Sequence, residues 1–309
     1  MTKTFFLYLS RSARARHLIM GLPFSRRAAR RFVVGETLDE ALGAVAELNR
    51  EGMKATLDLL GEDVTSPREA EGSTREVASI LDGIRRAGVD SNLSLKLTQL
   101  GLRLGKEVCQ RNLETVLARA AELNNFVRID MEGSDVTEIT LQIYEEARRH
   151  FPNVGVVIQS YLRRTEKDVT SRLIPAGAAV RLCKGAYKEP SEVAFPDKAD
   201  VDASYRRLAD LLLAPEARAQ GVKTAVATHD ESMIRHVQEK VARGEMGKQD
   251  FEFQMLYGIR RDLQRRLAKE GYRVRIYVSY GTQWYPYFMR RLAERPANVL
   301  FLVKNILRG

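Results

Sequence analysis

Eight short runs of apolar, β-favouring residues recur along this chain, at 54–60, 92–97, 126–131, 155–159, 179–183, 223–228, 251–255 and 274–279. Between them lie stretches such as 106–124, 135–150 and 202–213, whose apolar residues fall at helical spacing. Strands that alternate with helices in this way signal parallel βαβ units, because a parallel strand is rejoined only through a crossover. Eight such units, with a helical stretch after the last strand, point to an α/β fold: a (β/α)8 barrel of TIM type. A doubly wound open sheet is the alternative topology. Residues 51–309 suit a barrel of ordinary size, which leaves residues 1–50 as an N-terminal helical arm with 37–49 as its clearest helix.

The chain has 309 residues, 44% hydrophobic and 29% charged, the balance of a soluble globular protein able to bury a core of that size. No run approaches the roughly 18 consecutive apolar residues of a membrane-spanning helix, and the opening stretch 2–10 is apolar too briefly for a signal-peptide core. The two cysteines, Cys109 and Cys183, lack metal-ligand spacing and point to a reducing compartment without a disulfide framework. Eight of the ten net positive charges fall within residues 1–34, ahead of the first acid, Glu36. The remainder is nearly neutral, which argues against nucleic acid as the partner. The basic arm itself reads as an anionic-membrane contact, a transit-peptide-like segment or a solvated helical face.

Chemistry in such a barrel sits at the C-terminal ends of the strands. Those ends carry Glu62, Lys96, Asp130 with Met131 and Glu132, Gln159, Arg181 through Lys184, Thr228 with His229 and Asp230, Gln254 through Tyr257, and Tyr277 through Tyr280. Polar or ionisable side chains at nearly every strand end are more than a packed core tolerates. Singly, Lys96 or Asp130 reads equally as half of a structural ion pair.

Two constellations are sharper. In Arg181-Leu-Cys-Lys-Gly-Ala-Tyr187 a strand runs straight into Lys184-Gly185-Ala186, where glycine permits close backbone approach and a lysine with adjacent N–H groups suits a phosphate. In Trp284-Tyr-Pro-Tyr-Phe-Met-Arg-Arg291, Tyr287, Arg290 and Arg291 share one helical face. Paired guanidiniums beside an aromatic ring fit a small carboxylate with an apolar body, and equally a solvated face with its arginines extended into water.

The motifs SLKLTQLG, VRIDME, IQSYL, RLCKGAY, ATHD, FEFQMLYG, RIYVSYG and YFMRR occur in this order, each on its own expected strand or on the last helix. Together they resemble those of the proline dehydrogenases, over about four-fifths of the chain, in the short monofunctional bacterial form. The resemblance implies FAD held by Met131, Gln159, Arg181, Lys184, Gly185, Ala186, Thr228 and His229, with Arg181 near the reactive edge of the flavin. It implies that Lys96, Arg290 and Arg291 clamp the carboxylate of L-proline, that Leu256, Tyr277 and Tyr287 pack around its ring, and that Asp130 orients the cations. Glu62 would pair with Arg290 as a gate. The implied reaction is hydride transfer from proline to FAD, giving Δ1-pyrroline-5-carboxylate, with a quinone as the next acceptor and Asp130 or water taking the proton. It would be the first step of proline degradation to glutamate.

The implied setting is the bacterial cytoplasm, with the basic arm as a peripheral contact to the inner membrane; the oligomeric state stays open. Two features depart from the resemblance. The stretch between Tyr277 and Tyr287 is shorter than in the bifunctional enzymes, and the arm matches no motif. Three other readings remain: a flavin barrel similar to methylenetetrahydrofolate reductase, a lysine aldolase using Lys96 or Lys184, and a surface-binding module built on the arm.

Overall fold

The computed structural model describes residues 29–294, the last two through their backbone alone. Most of the basic arm, residues 1–28, lies outside the described residues. Eight parallel strands close into a barrel in chain order: β1 (Lys54–Leu59), β2 (Ser91–Leu95), β3 (Val127–Ile129), β4 (Val154–Gln159), β5 (Ala179–Cys183), β6 (Lys223–Ala227), β7 (Phe251–Leu256) and β8 (Val274–Tyr280). β1 closes the ring against β8, in register from Lys54 opposite Arg275 to Leu59 opposite Tyr280. The open-sheet alternative is thereby excluded.

Local chemistry sets the helices between them. Pro67–Ala87 starts where the Ser66 hydroxyl accepts from the Glu69 N–H and proline takes the first turn, and it stops at Gly88, in the left-handed region. Its buried face, Ala70, Thr74, Val77, Leu81 and Ile84, follows helical spacing and packs toward the barrel. The helix Leu38–Arg50, fastened by a capping box between Thr37 and Glu40, buries Ala41, Leu42, Val45 and Leu48 in the same core, so residues 38–50 are continuous with the barrel.

Side chains alternate along each strand. Leu57, Leu93, Leu95, Ile129, Val156 and Ile276 point out beneath the helices, fully buried. Their neighbours Asp58, Ser94, Arg128, Arg181, Gln254 and Tyr277 point in and bond across the barrel.

Two strands, β2 and β3, stop two residues before the end of their sequence runs. After Leu95 the chain turns at Lys96 into a 3-10 turn, Leu97–Leu100, held by the Glu132 carboxylate, which accepts from both the N–H (3.2 Å) and hydroxyl (2.6 Å) of Thr98. Asp130 and Met131 likewise run past β3. A π-turn, Val169–Leu173, follows the short helix Thr165–Asp168.

At the C-terminal mouth the last helix, Trp284–Glu294, is fixed by an aromatic cluster of Phe32, Trp284 and Phe288. The segment 33–35 lies along the end of β8, with Val34 N–H donating to the Ser279 carbonyl and Gly281 N–H to that of Gly35. Among the described residues no helix is long and apolar enough to cross a membrane.

Candidate active site

The C-terminal mouth opens into a cavity of about 450 Å3, lined from six of the eight strands and from the residues just past β2 and β3. Every residue that the resemblance assigns to cofactor or substrate lines it; Glu62 reaches it through Arg290, whereas Glu132, Tyr257 and Tyr280, also named at the strand ends, are not part of its lining.

Asp130 is the hub. Its Oδ1 accepts from Arg181 Nη1 at 2.9 Å and from Ser94 Oγ at 2.8 Å. Its Oδ2 accepts from the Tyr277 hydroxyl at 2.5 Å and lies 3.7 Å from Lys96 Nζ. With both oxygens engaged, this carboxylate orients the cations around it. Lys96 also donates to Asp58 at 3.1 Å, and Asp58 accepts from Ser279. Burial alone would pull the Lys96 ammonium down, but Asp58 and Asp130 outweigh it and hold the group firmly charged. Burial, reinforced by Asp130, pushes the Tyr277 phenol well above its ordinary range, so it stays a donor.

Arg181 is buried and stacks 5.1 Å from the centre of the Tyr277 ring. Its Nε donates to Gln254 and its Nη1 to Asp130, whereas its buried Nη2 has no partner among the described residues. A buried N–H with nothing to bond is costly, so this donor suits an acceptor atom entering the cavity.

From the last helix, Tyr287, Arg290 and Arg291 all face the cavity, as their spacing requires. Arg291 lies over the Tyr287 ring, 4.9 Å from its centre. Arg290 forks onto Glu62 at 2.8 and 3.3 Å; burial opposes its charge, but Glu62 and Tyr187 more than restore it.

The rim is the turn Lys184-Gly185-Ala186. Gly185 has φ +117°, and a Cβ there would meet the Tyr161 ring at 2.2 Å, so only glycine fits. Lys184, expected at a phosphate, is gripped by Asp202 (2.5 Å) and Asp230 (2.7 Å). Burial would raise the Asp230 carboxyl, but its bonds from Lys184 and the Ser232 N–H hold it well below its usual range. His229 Nε2 accepts from the Leu256 N–H at 2.9 Å, which leaves that nitrogen unprotonated and pins the backbone beside the cavity. Thr228 accepts from the Asp230 N–H, and Gln159 donates to the Glu132 carbonyl.

Sequence reasoning missed Asp58, Ser94, Tyr187 and Asp202. Asp58 carried a local signal, a lone acid inside the apolar run Leu57-Asp58-Leu59 at an inward position, and Ser94 and Tyr187 stood at the edges of quoted motifs without an assigned role.

Residues 41–304 match the family model described as proline dehydrogenase. Proline dehydrogenase 1 of Bacillus subtilis (strain 168) is 45% identical over 284 residues, 92% of each chain. The proline dehydrogenase of Deinococcus radiodurans is 43% identical over 286 residues, 91% of this chain and 90% of that one. Among solved structures, proline utilization A from Bdellovibrio bacteriovorus inactivated by N-propargylglycine matches with TM-score 0.80 at 26% identity. The match covers 91% of this chain and 33% of that one, so this chain spans a third of the longer protein.

Proposed function

Because the chain belongs to the proline dehydrogenase family, we propose that it oxidises L-proline to Δ1-pyrroline-5-carboxylate with FAD as hydride acceptor and a quinone beyond it, opening proline degradation to glutamate. One observation carries the reading: a single cavity gathers three cations (Lys96, Arg290, Arg291), apolar walls (Leu256, Tyr277, Tyr287) and the unpartnered Nη2 of Arg181.

FAD fits the residues present, on the evidence of that buried donor and of the Gly185 turn, where no side chain stands between backbone and ligand. Met131, Gln159, Arg181, the Lys184-Gly185-Ala186 turn, Thr228 and His229 would hold it. When bound, the flavin supplies the site that accepts the C5 hydride. Arg181 is placed to favour added negative charge next to it. Lys96, Arg290 and Arg291 draw in the carboxylate and disfavour a charged amine beside them, so the substrate nitrogen gives up its proton on binding. Asp130 keeps Lys96 and Arg181 in place, and water carries the proton away. Glu62, by pairing with Arg290, closes the mouth over the ring.

The purified protein is expected to be yellow and to bleach on adding L-proline without oxygen. Arg181→Met should keep the flavin but slow bleaching, and Lys184→Ala should lose flavin. A colourless protein, or one whose flavin ignores proline, would overturn the reading. The reading also places the enzyme in the bacterial cytoplasm, its basic N-terminal residues against an anionic inner membrane holding the quinone. Removing residues 1–28 should then weaken binding to anionic vesicles while proline still bleaches the flavin; unchanged vesicle binding refutes that contact.

A further inference from the structure

The opposite, N-terminal end of the barrel holds a second chamber, of about 550 Å3, whose lining includes Arg128, Lys223, Glu252, Arg273 and Arg275. The charges around it do not balance. Four buried cations stand at inward positions of the strands and their ends: Lys96, Arg128, Arg181 and Arg275. Three have a carboxylate: Lys96 has Asp58 at 3.1 Å, Arg181 has Asp130 at 2.9 Å, and Arg275 has Glu252 at 2.9 Å. Arg128 has none among the described residues. The acids of this mouth are engaged elsewhere, Asp90 with Lys54 (2.8 Å), Asp250 with Arg218 (2.6 Å), and Glu252 with Arg275 and, at 3.8 Å, Arg273. Lys223, exposed on the rim, likewise has no acid within ion-pair distance among the described residues.

Arg128 is only 5% exposed. Its Nη1 donates to the carbonyls of Ala179 (2.6 Å) and Val156 (3.3 Å), and its plane lies 4.9 Å from the centre of the Phe126 ring. Its Nε is buried with no partner among the described residues. Burial, with Arg181 adding repulsion, pulls the guanidinium down to about 9, still above neutral pH, so the charge persists. Buried charges are otherwise paired, because carbonyl dipoles compensate a full charge only in part. With Nη1 occupied, what remains is the Nε–Nη2 edge, the two-donor fork that matches two oxygens of one oxyanion.

We propose that the N-terminal mouth is a binding site for a phosphate-class oxyanion, held by the free edge of Arg128, with Lys223 and Arg273 completing its charge on the rim. Glu252 offsets the charge of Arg128 only in part and from beyond ion-pair distance, so a dianion suits Arg128 and Lys223, the two cations here without an ion-pair partner among the described residues. The site lies across the barrel from the catalytic mouth, so it adds to the proposed oxidation without depending on it.

Melting temperature of the flavin-loaded enzyme, measured at neutral pH against inorganic phosphate and against sodium chloride of matched ionic strength, tests this. Phosphate is expected to raise the melting temperature saturably in the millimolar range, beyond chloride, because a ligand that binds only the folded state stabilises it. Lys223→Ala, an exposed change, should weaken the apparent affinity roughly ten-fold. Arg128→Gln should abolish the response, and Arg291→Met, at the far mouth, should leave it intact. Should Arg128→Gln fail to fold, Lys223→Ala still decides. Equal responses to phosphate and chloride, a Lys223→Ala titration like that of the parent, or loss of the response in Arg291→Met would each overturn the proposal.

Discussion

On the outward side of the eight strands stand Leu57, Leu93, Leu95, Val127, Phe253 and Ile276; on the inward side of the same strands stand Thr56, Asp58, Ser94, Arg181, Glu252 and Tyr277. Both sets are buried, Tyr277 only partly. The outer set gains free energy from apolar area removed from water. The inner set gains little by burial, since ion pairing in a dry interior roughly offsets desolvation. What the inner set provides is orientation: Asp130 alone fixes Arg181, Ser94 and Tyr277. Burial therefore does not separate stability from function in this barrel; the direction in which a side chain points does.

The largest expected effect lies outside. Leu57→Ala should cost about 2–5 kcal/mol of stability, read by denaturant unfolding, while the KM for proline of the folded fraction stays put. A KM that moved with stability would break the contrast. Glu132 comes next because it is buried yet belongs to the polar set. Burial pushes its carboxyl up to about 7 from an ordinary 4.5. Between those values the folded chain holds a proton that the unfolded chain has lost. Stability should therefore fall by ~3 kcal/mol as pH rises through that window, then level off. Urea curves for Glu132→Gln should lack that fall; curves that track the parent at every pH would refute the assignment.

Inside, Arg291→Met should raise the KM for proline roughly ten- to a hundred-fold, for about 1.5–3 kcal/mol of lost charge-assisted contact, with little change in melting temperature. Arg291→Lys should recover part of it. Unaltered saturation in stopped-flow flavin bleaching would remove Arg291 from the carboxylate clamp. The smallest effect is Tyr277→Phe. It deletes one hydrogen bond of about 0.5–1.5 kcal/mol, and Asp130 keeps Arg181, Ser94 and nearby Lys96, so bleaching should slow about ten-fold at most. A larger loss would mean that the phenol itself meets the substrate.

Much of this was legible in the sequence because strand periodicity and strand ends are local properties. Lys96, Asp130, Arg181 and Tyr277 could each be placed at a mouth of the barrel from their own runs. The grip of Asp202 and Asp230 on Lys184 was not legible, since it joins residues 18 and 46 positions apart through the closed topology. The bond from Ser94 to Asp130 likewise spans 36 positions and leaves no local mark. The unmatched charge of Arg128 emerges only when every neighbouring acid can be assigned its partner. The π-turn at Val169–Leu173 shares its apolar spacing with an ordinary helix, so periodicity cannot single it out.

Closure of β1 on β8 also governs how the protein is made. Ser279 donates to Asp58 across 221 residues of chain, so the first strand leaves the ribosome long before its partner exists. At roughly 5–20 residues per second, β1 waits on the order of 10–45 s with one edge unpaired. An open edge strand is a template for pairing with another chain. A nascent chain stalled before residue 274 would be the aggregation-prone species, and Arg290 and Arg291, proposed for the substrate carboxylate, follow closely behind the strand that ends that risk.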